Sequence, residues 1–130
     1  GWTDGLGALL AMTGIIGEWL ADRQLNHFRQ KNESVRTTCR AGLWRYSRHP
    51  NYFFDWLIWC SYPVLAFGSD AFLWSLIAPA VMLFLFLKVT GIPPTEAAAL
   101  RRRGEDYRRY QQETSAFIPW FPSTGSPQGD

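Results

Sequence analysis

"AFLWSLIAPAVMLFLFLKVTGI" occupies residues 71–92 and carries no charge before Lys88. The run is apolar on all sides, so as a helix it has no face for water. It is long enough to cross a bilayer, which takes about 20 residues. Two shorter apolar stretches precede it. "GLGALLAMTGIIGEWLA" at residues 5–21 carries Glu18 near its end. "YFFDWLIWCSYPVLAFG" at residues 52–68 carries Asp55 inside and a kinking Pro63. The pattern predicts an all-α, polytopic transmembrane helical bundle with spans near 5–21, 52–68 and 71–92. Buried core helices of a soluble protein are the alternative, and the third run speaks against it because it leaves nothing for solvent.

Composition bounds the reading. The 130 residues suit one domain. Aromatic residues make up 16% and Trp numbers 7, heavy for a soluble domain and ordinary at a membrane interface. The mean hydropathy of -0.15 averages over segregated segments. A net charge of +2 gives no argument for nucleic acid. Cys39 and Cys60 suggest neither a disulfide framework nor a metal cage. The chain starts at Gly1 rather than Met, as expected of a piece of a longer protein. No basic start precedes the first apolar stretch, so no signal peptide is expected.

Charge placement supports the membrane reading. Arg23, Arg29, Lys31, Arg36, Arg40, Arg45 and Arg48 lie between the first two apolar stretches. The turn at Ser69 and Asp70 has no cation, and every remaining cation lies at or after Lys88. All the basic residues therefore fall on one side of a multi-pass integral membrane protein. The positive-inside rule makes the basic loop and the C-terminal tail cytoplasmic. After the third span, Gly91, Pro93 and Pro94 predict a break. A short interfacial helix is expected near 95–113, with Glu96 in its first turn and arginines later, as the helix dipole favours. "TSAFIPWFP" returns aromatics to the interface, and residues 123–130 read as a disordered polar tail.

Several residues invite chemistry. Glu18, Asp22, Leu25 and Arg29 recur at helical spacing and share a face. Arginines fork onto phosphate oxygens, while carboxylates accept from ribose hydroxyls or an amide, so this face and the loop arginines suit an anionic ligand. Each loop arginine also has a plainer role, facing anionic lipid. Asp55 is the sharper clue, because an ionisable group inside a span usually faces a partner or a watery cavity. Pro50 fits the first turn of a helix. Asn51 and Asp55 then share a face and look back toward the cationic loop, where Asp55 is expected to close a polar pocket. His49 reads as a hydrogen-bonding pocket wall. No second His or Cys stands at metal-ligand spacing, so no metal is expected. Tyr107 and Tyr110 read as packing against the bundle or lipid headgroups.

In order along the chain, "EWLADRQLNHFR" (18–29), "GLWRYSRHPNYFFD" (42–55), "KVTGIPPTE" (88–96) and "YRRYQQETSAFIPWFP" (107–122) form a specific series. The series resembles the C-terminal half of the steroid 5-alpha-reductase-like membrane proteins, and within them the group catalogued as domain of unknown function 1295. The resemblance covers nearly everything from Gly14 to Pro122. It implies a membrane reductase that uses NADPH to reduce a carbon–carbon double bond conjugated to a carbonyl in a hydrophobic, lipid or steroid-like substrate. It implies that this half mostly holds the cofactor. Glu18, Asp22 and Arg29 fall on cofactor-contacting positions of the first helix. Asn51 and Asp55 fall on an N-x-x-x-E/D pair, Lys88 on a cofactor-binding cation, and Glu96 on a polar contact of the next segment. Arg45, Tyr46 and His49 belong to the shared "RYSRHP" block. The Glu and Tyr that polarise the substrate carbonyl belong, by the same resemblance, to N-terminal spans outside these residues. No catalytic residue is therefore expected here, and these residues alone are expected to be inactive.

The chain departs from its relatives where they read "NYFGE". Phe54 stands in place of a small glycine and is expected to crowd a close helix contact, and Asp55 has a shorter arm. A second resemblance competes. Isoprenylcysteine carboxyl methyltransferases, which bind S-adenosylmethionine, share Arg45, Tyr46, Arg48, His49, Pro50 and Tyr52. "GIPPTE" and the Asn51/Asp55 pair favour the reductases. A third reading is a non-catalytic membrane protein that binds lipid or a partner. The expected partners are the bilayer and a hydrophobic small molecule, with no nucleic acid and no metal.

Overall fold

The computed structural model describes residues 1–31 and 37–123, and every regular element in them is helical. Arg36 and residues 124–130 of the expected tail lie outside the described residues. Helix α1 (Trp2–Lys31) runs 30 residues, about 45 Å at 1.5 Å per residue. Its buried residues, Gly7, Gly14, Gly17 and Ala21, fall on one face. That face packs along α2 (Pro50–Leu65). The glycines are there for space. A Cβ on Gly14 would lie 2.6 Å from the Phe54 carbonyl oxygen, and one on Gly17 would run into the Phe54 ring. Phe54 thus does not hold the helices apart, because the facing helix supplies the missing volume.

Helix α2 opens on Pro50, whose missing N–H costs nothing in a first turn. Pro63 sits buried in its last turn. The third apolar run folds as short pieces in series: α3 (Phe72–Ser75), α4 (Ile77–Phe84) and a π-helical turn (Leu85–Val89). Pro79 explains the first break, since it has no N–H for the Ser75 carbonyl. In the π-turn, the N–H groups of Thr90 and Gly91 both donate to Leu85 O, at 2.9 and 3.3 Å. Trp56 Nε1 donates to Pro79 O at 2.9 Å and ties α2 to α4.

The segment expected as one helix near 95–113 is two. Helix α5 (Ile92–Arg103) and α6 (Glu105–Glu113) meet at Gly104. Because α5 starts at Ile92, with both prolines in its first turn, Glu96 lies in the second turn and not the first. Ser123, expected in the free tail, donates its N–H to Glu113 O at 2.8 Å.

Among the described residues, one helical run, Phe72–Arg103, is long and apolar enough to cross a membrane; its most apolar window has a mean hydropathy of 2.1 and is 11% buried. Helix α2, with 16 residues, is short of the required length. Helix α1 is long, but Gly, Trp and Glu18 dilute its apolar character.

Candidate functional site

The basic loop is shaped by contacts to distant segments. Gly42 has φ +58, and a Cβ there would meet the Gln24 side chain. The turn it opens, Gly42–Arg45, docks on the end of α1. Leu43 N donates to Gln24 Oε1 and Trp44 Nε1 to Ala21 O, both at 2.9 Å. Helix α6 holds the other side. The Tyr110 hydroxyl donates within reach of two carbonyls, Trp44 O at 2.5 Å and Ser47 O at 3.1 Å. Thr38 N donates to Asp106 Oδ2 at 2.7 Å. Arg40 reaches Asp106 and Glu113, each at 3.4 Å, with its guanidinium 5.3 Å from the Tyr110 ring centre. Burial raises the Asp106 carboxyl, but Thr38 and Arg40 outweigh it and hold the group below its ordinary value.

Glu96 is the hub between α5 and the loop. Its Oε2 lies 2.9 Å from His49 Nε2 and 3.3 Å from Arg48 Nη1, and accepts from the Tyr107 hydroxyl at 3.1 Å. Its Oε1 accepts from Gln111 Nε2 at 3.1 Å. His49 is buried, and its ring stacks on Tyr52 at 5.5 Å. Burial and the neighbouring Glu96 charge push the Tyr107 phenol far up, and burial does the same to Tyr110. Both phenols therefore stay protonated and act as hydrogen-bond donors.

A cavity of about 430 Å³ opens beside this hub. Helix α1 contributes Asp22, Leu25, Asn26 and Arg29; the loop contributes Thr38, Cys39, Trp44, Arg48 and His49. Asn51 and Tyr52 enter from α2; Thr95, Ala99 and Arg103 from α5; Tyr107 and Tyr110 from α6. Three guanidinium groups thus share a wall with one carboxylate, Asp22. Arg48 Nε and Arg103 Nε are buried with no hydrogen-bond partner among the described residues. The Arg103 guanidinium lies 5.0 Å from the Tyr107 ring centre. Burial pushes the Cys39 thiol up, so it behaves as a small apolar wall. Cys39 and Cys60 are both free. No group of three or more His, Cys, Asp or Glu residues is placed to hold a metal ion among the described residues.

The expected site residues divide. Asp22, Arg29, His49 and Asn51 line the cavity. Glu96 stands behind it and orients His49 and Arg48. Asp55 does not line it: four residues beyond Asn51, it lies about 6 Å deeper along α2 and is half-buried. Glu18 is likewise off the lining, one turn below Asp22. Arg45 and Tyr46 are exposed, because the tight turn points Trp44 and Ser47 inward and the pair between them outward. Lys88 is exposed on the π-turn, away from the cavity. Tyr107 and Tyr110 pack within the chain, leaving no ring free for headgroups. The largest omission is Arg103. Its signal was present in "RRRGEDY", where a glycine ends the helix and a tyrosine follows at four residues. Thr38 and Cys39 carried no such signal.

The family model described as protein of unknown function (DUF1295) matches residues 1–114. The chain belongs to this family. The DUF1295 match includes every residue that lines the cavity and ends before residues 115–121. No curated protein and no solved structure matches the chain.

Proposed function

We propose that this DUF1295 protein is the NADPH-holding part of a membrane reductase acting on a carbon–carbon double bond conjugated to a carbonyl in a lipid or steroid-like substrate. The carrying observation is the cavity lined by Arg29, Arg48 and Arg103 against one carboxylate, Asp22, where Arg48 Nε and Arg103 Nε have no hydrogen-bond partner among the described residues. A wall of guanidinium groups suits phosphate oxygens. Asp22 and Asn51 suit ribose hydroxyls or an amide. The resemblance to steroid 5-alpha-reductase-like proteins supplies the reaction, in which bound NADPH provides a hydride. This chain's own residues bind and orient. Glu96 holds Arg48 and His49 toward the cavity, and the buried tyrosines donate hydrogen bonds without ionising. The same resemblance puts the carbonyl-polarising acids outside these residues. In this reading α1, α2 lengthened by the turn that follows it at residues 66–68, and the α3–α4 segment are three spans, and the basic loop and the tail are cytoplasmic.

Thermal unfolding in lipid nanodiscs tests the cofactor. NADPH at a hundred times its dissociation constant stabilises a site that binds only the folded state by about 2.7 kcal/mol. The expected result is a clear upward shift with NADPH and none with S-adenosylmethionine. Protection by S-adenosylmethionine alone would establish the methyltransferase reading instead. Protection by neither would favour a lipid- or partner-binding role.

A further inference from the structure

Residues 115–121 leave α6 as a strap that bends at residues 116–118 and whose backbone is tied down. Arg48 N donates to Ser115 O at 2.8 Å, Trp120 N to Tyr46 O at 3.0 Å, and Ser115 Oγ to Ile118 O at 2.6 Å. Phe117 turns inward onto Phe53, Trp56 and Phe86, with ring centres 5.6, 5.8 and 6.5 Å away. Ile118, Trp120 and Phe121 turn outward and are 58%, 69% and 79% exposed. A frayed end would expose such side chains by accident; a tied backbone exposes them by construction. Its position is also defined. Phe86 belongs to the π-turn that ends the long apolar run, so the strap lies where apolar helix surface gives way to the basic loop. Exposed cations flank it: Arg45 next to Tyr46, and Lys88 two residues from Phe86. Trp is enriched at membrane–water boundaries, and cations there attract anionic lipid.

We propose that the strap is a membrane-docking element. Ile118, Trp120 and Phe121 seat at the boundary between headgroups and acyl chains, in an anionic leaflet on the side of the basic loop. The proposal rests on reading residues 71–92 as a span, and is independent of the cofactor.

The test uses the protein in nanodiscs of phosphatidylcholine and phosphatidylglycerol. Cys39 and Cys60 are replaced by Ala, and an environment-sensitive fluorophore is attached through Phe121→Cys or, as span control, Val81→Cys. Position 121 is expected to be quenched several-fold more by a nitroxide near the headgroup than by one deep in the acyl chain, and little by aqueous iodide. Position 81 is expected to follow the deep nitroxide. Iodide quenching at 121 without lipid quenching, while 81 follows lipid, overturns the strap and leaves the span intact. Absence of lipid quenching at 81 overturns the span, and the strap with it. If the cysteine background does not fold, the difference in intrinsic fluorescence between the native protein and Trp120→Phe reads the same depth.

Discussion

The loop end of the molecule and its hairpin end, where residues 66–71 join α2 to α3, are built by opposite means. At the loop end, segments far apart in sequence bind one another through polar side chains. His49 meets Glu96 across 47 residues, Ser47 meets Phe117 across 70, and Tyr110 is 1% exposed. At the hairpin, hydrogen bonds are local: Ser69 Oγ donates to Ala66 O and Ser75 Oγ to Phe72 O, each within three residues. Leu73 and Trp74 are 73% and 74% exposed there. The loop end makes its own polar surroundings and so can hold a charged ligand in fixed geometry. The hairpin end leaves its side chains to the surrounding medium, as a segment in contact with lipid can.

That contrast is open to attack, most strongly at Glu96. Its side chain is 14% exposed and serves Arg48, His49, Tyr107 and Gln111. Glu96→Ala leaves a buried guanidinium without its carboxylate, which costs about 3–5 kcal/mol. A large fall in the melting temperature in nanodiscs is expected. A fall no greater than that of a hairpin substitution would break the comparison.

A smaller effect is expected on acidification. The folded protein holds Asp106 below its ordinary value of 3.8. The stability it contributes is therefore fully present above that value and is lost as pH falls through the lower, folded one. Melting temperature should decline in this acid range, and less steeply in Asp106→Asn, which itself should cost on the order of 1 kcal/mol at neutral pH. Identical acid profiles for the two proteins would show that the loop-to-α6 tie contributes nothing.

The smallest effect belongs to the hairpin. Leu73→Ala removes no internal contact of consequence, so its stability should change by no more than about 0.5 kcal/mol. A loss comparable to that of Glu96→Ala in the same melting assay would mean that the hairpin packs against something after all.

The helical class, the position of the longest apolar run, the start of α2 at Pro50, and Asp22, Arg29, His49 and Asn51 of the cavity wall are legible in the sequence alone. These follow from local properties: hydrophobic run length, proline's missing donor, and the three- and four-residue spacing that put Asp22 and Arg29 on one face. Which polar residues share a cavity depends on packing between distant segments. Arg40 and Arg48 look equivalent in the loop, yet one is drawn to Asp106 and Glu113 and the other to Glu96. Asn51 and Asp55 share a helix face, but a cavity has a floor, and one helical turn carries Asp55 below it. Phe54 reads as an obstruction along the chain, but Gly14 and Gly17 stand opposite it and leave it room. Spacing along a chain defines direction around a helix axis. Depth, and the identity of what stands across the gap, depend on where another segment ends, and that is settled only when the segments pack.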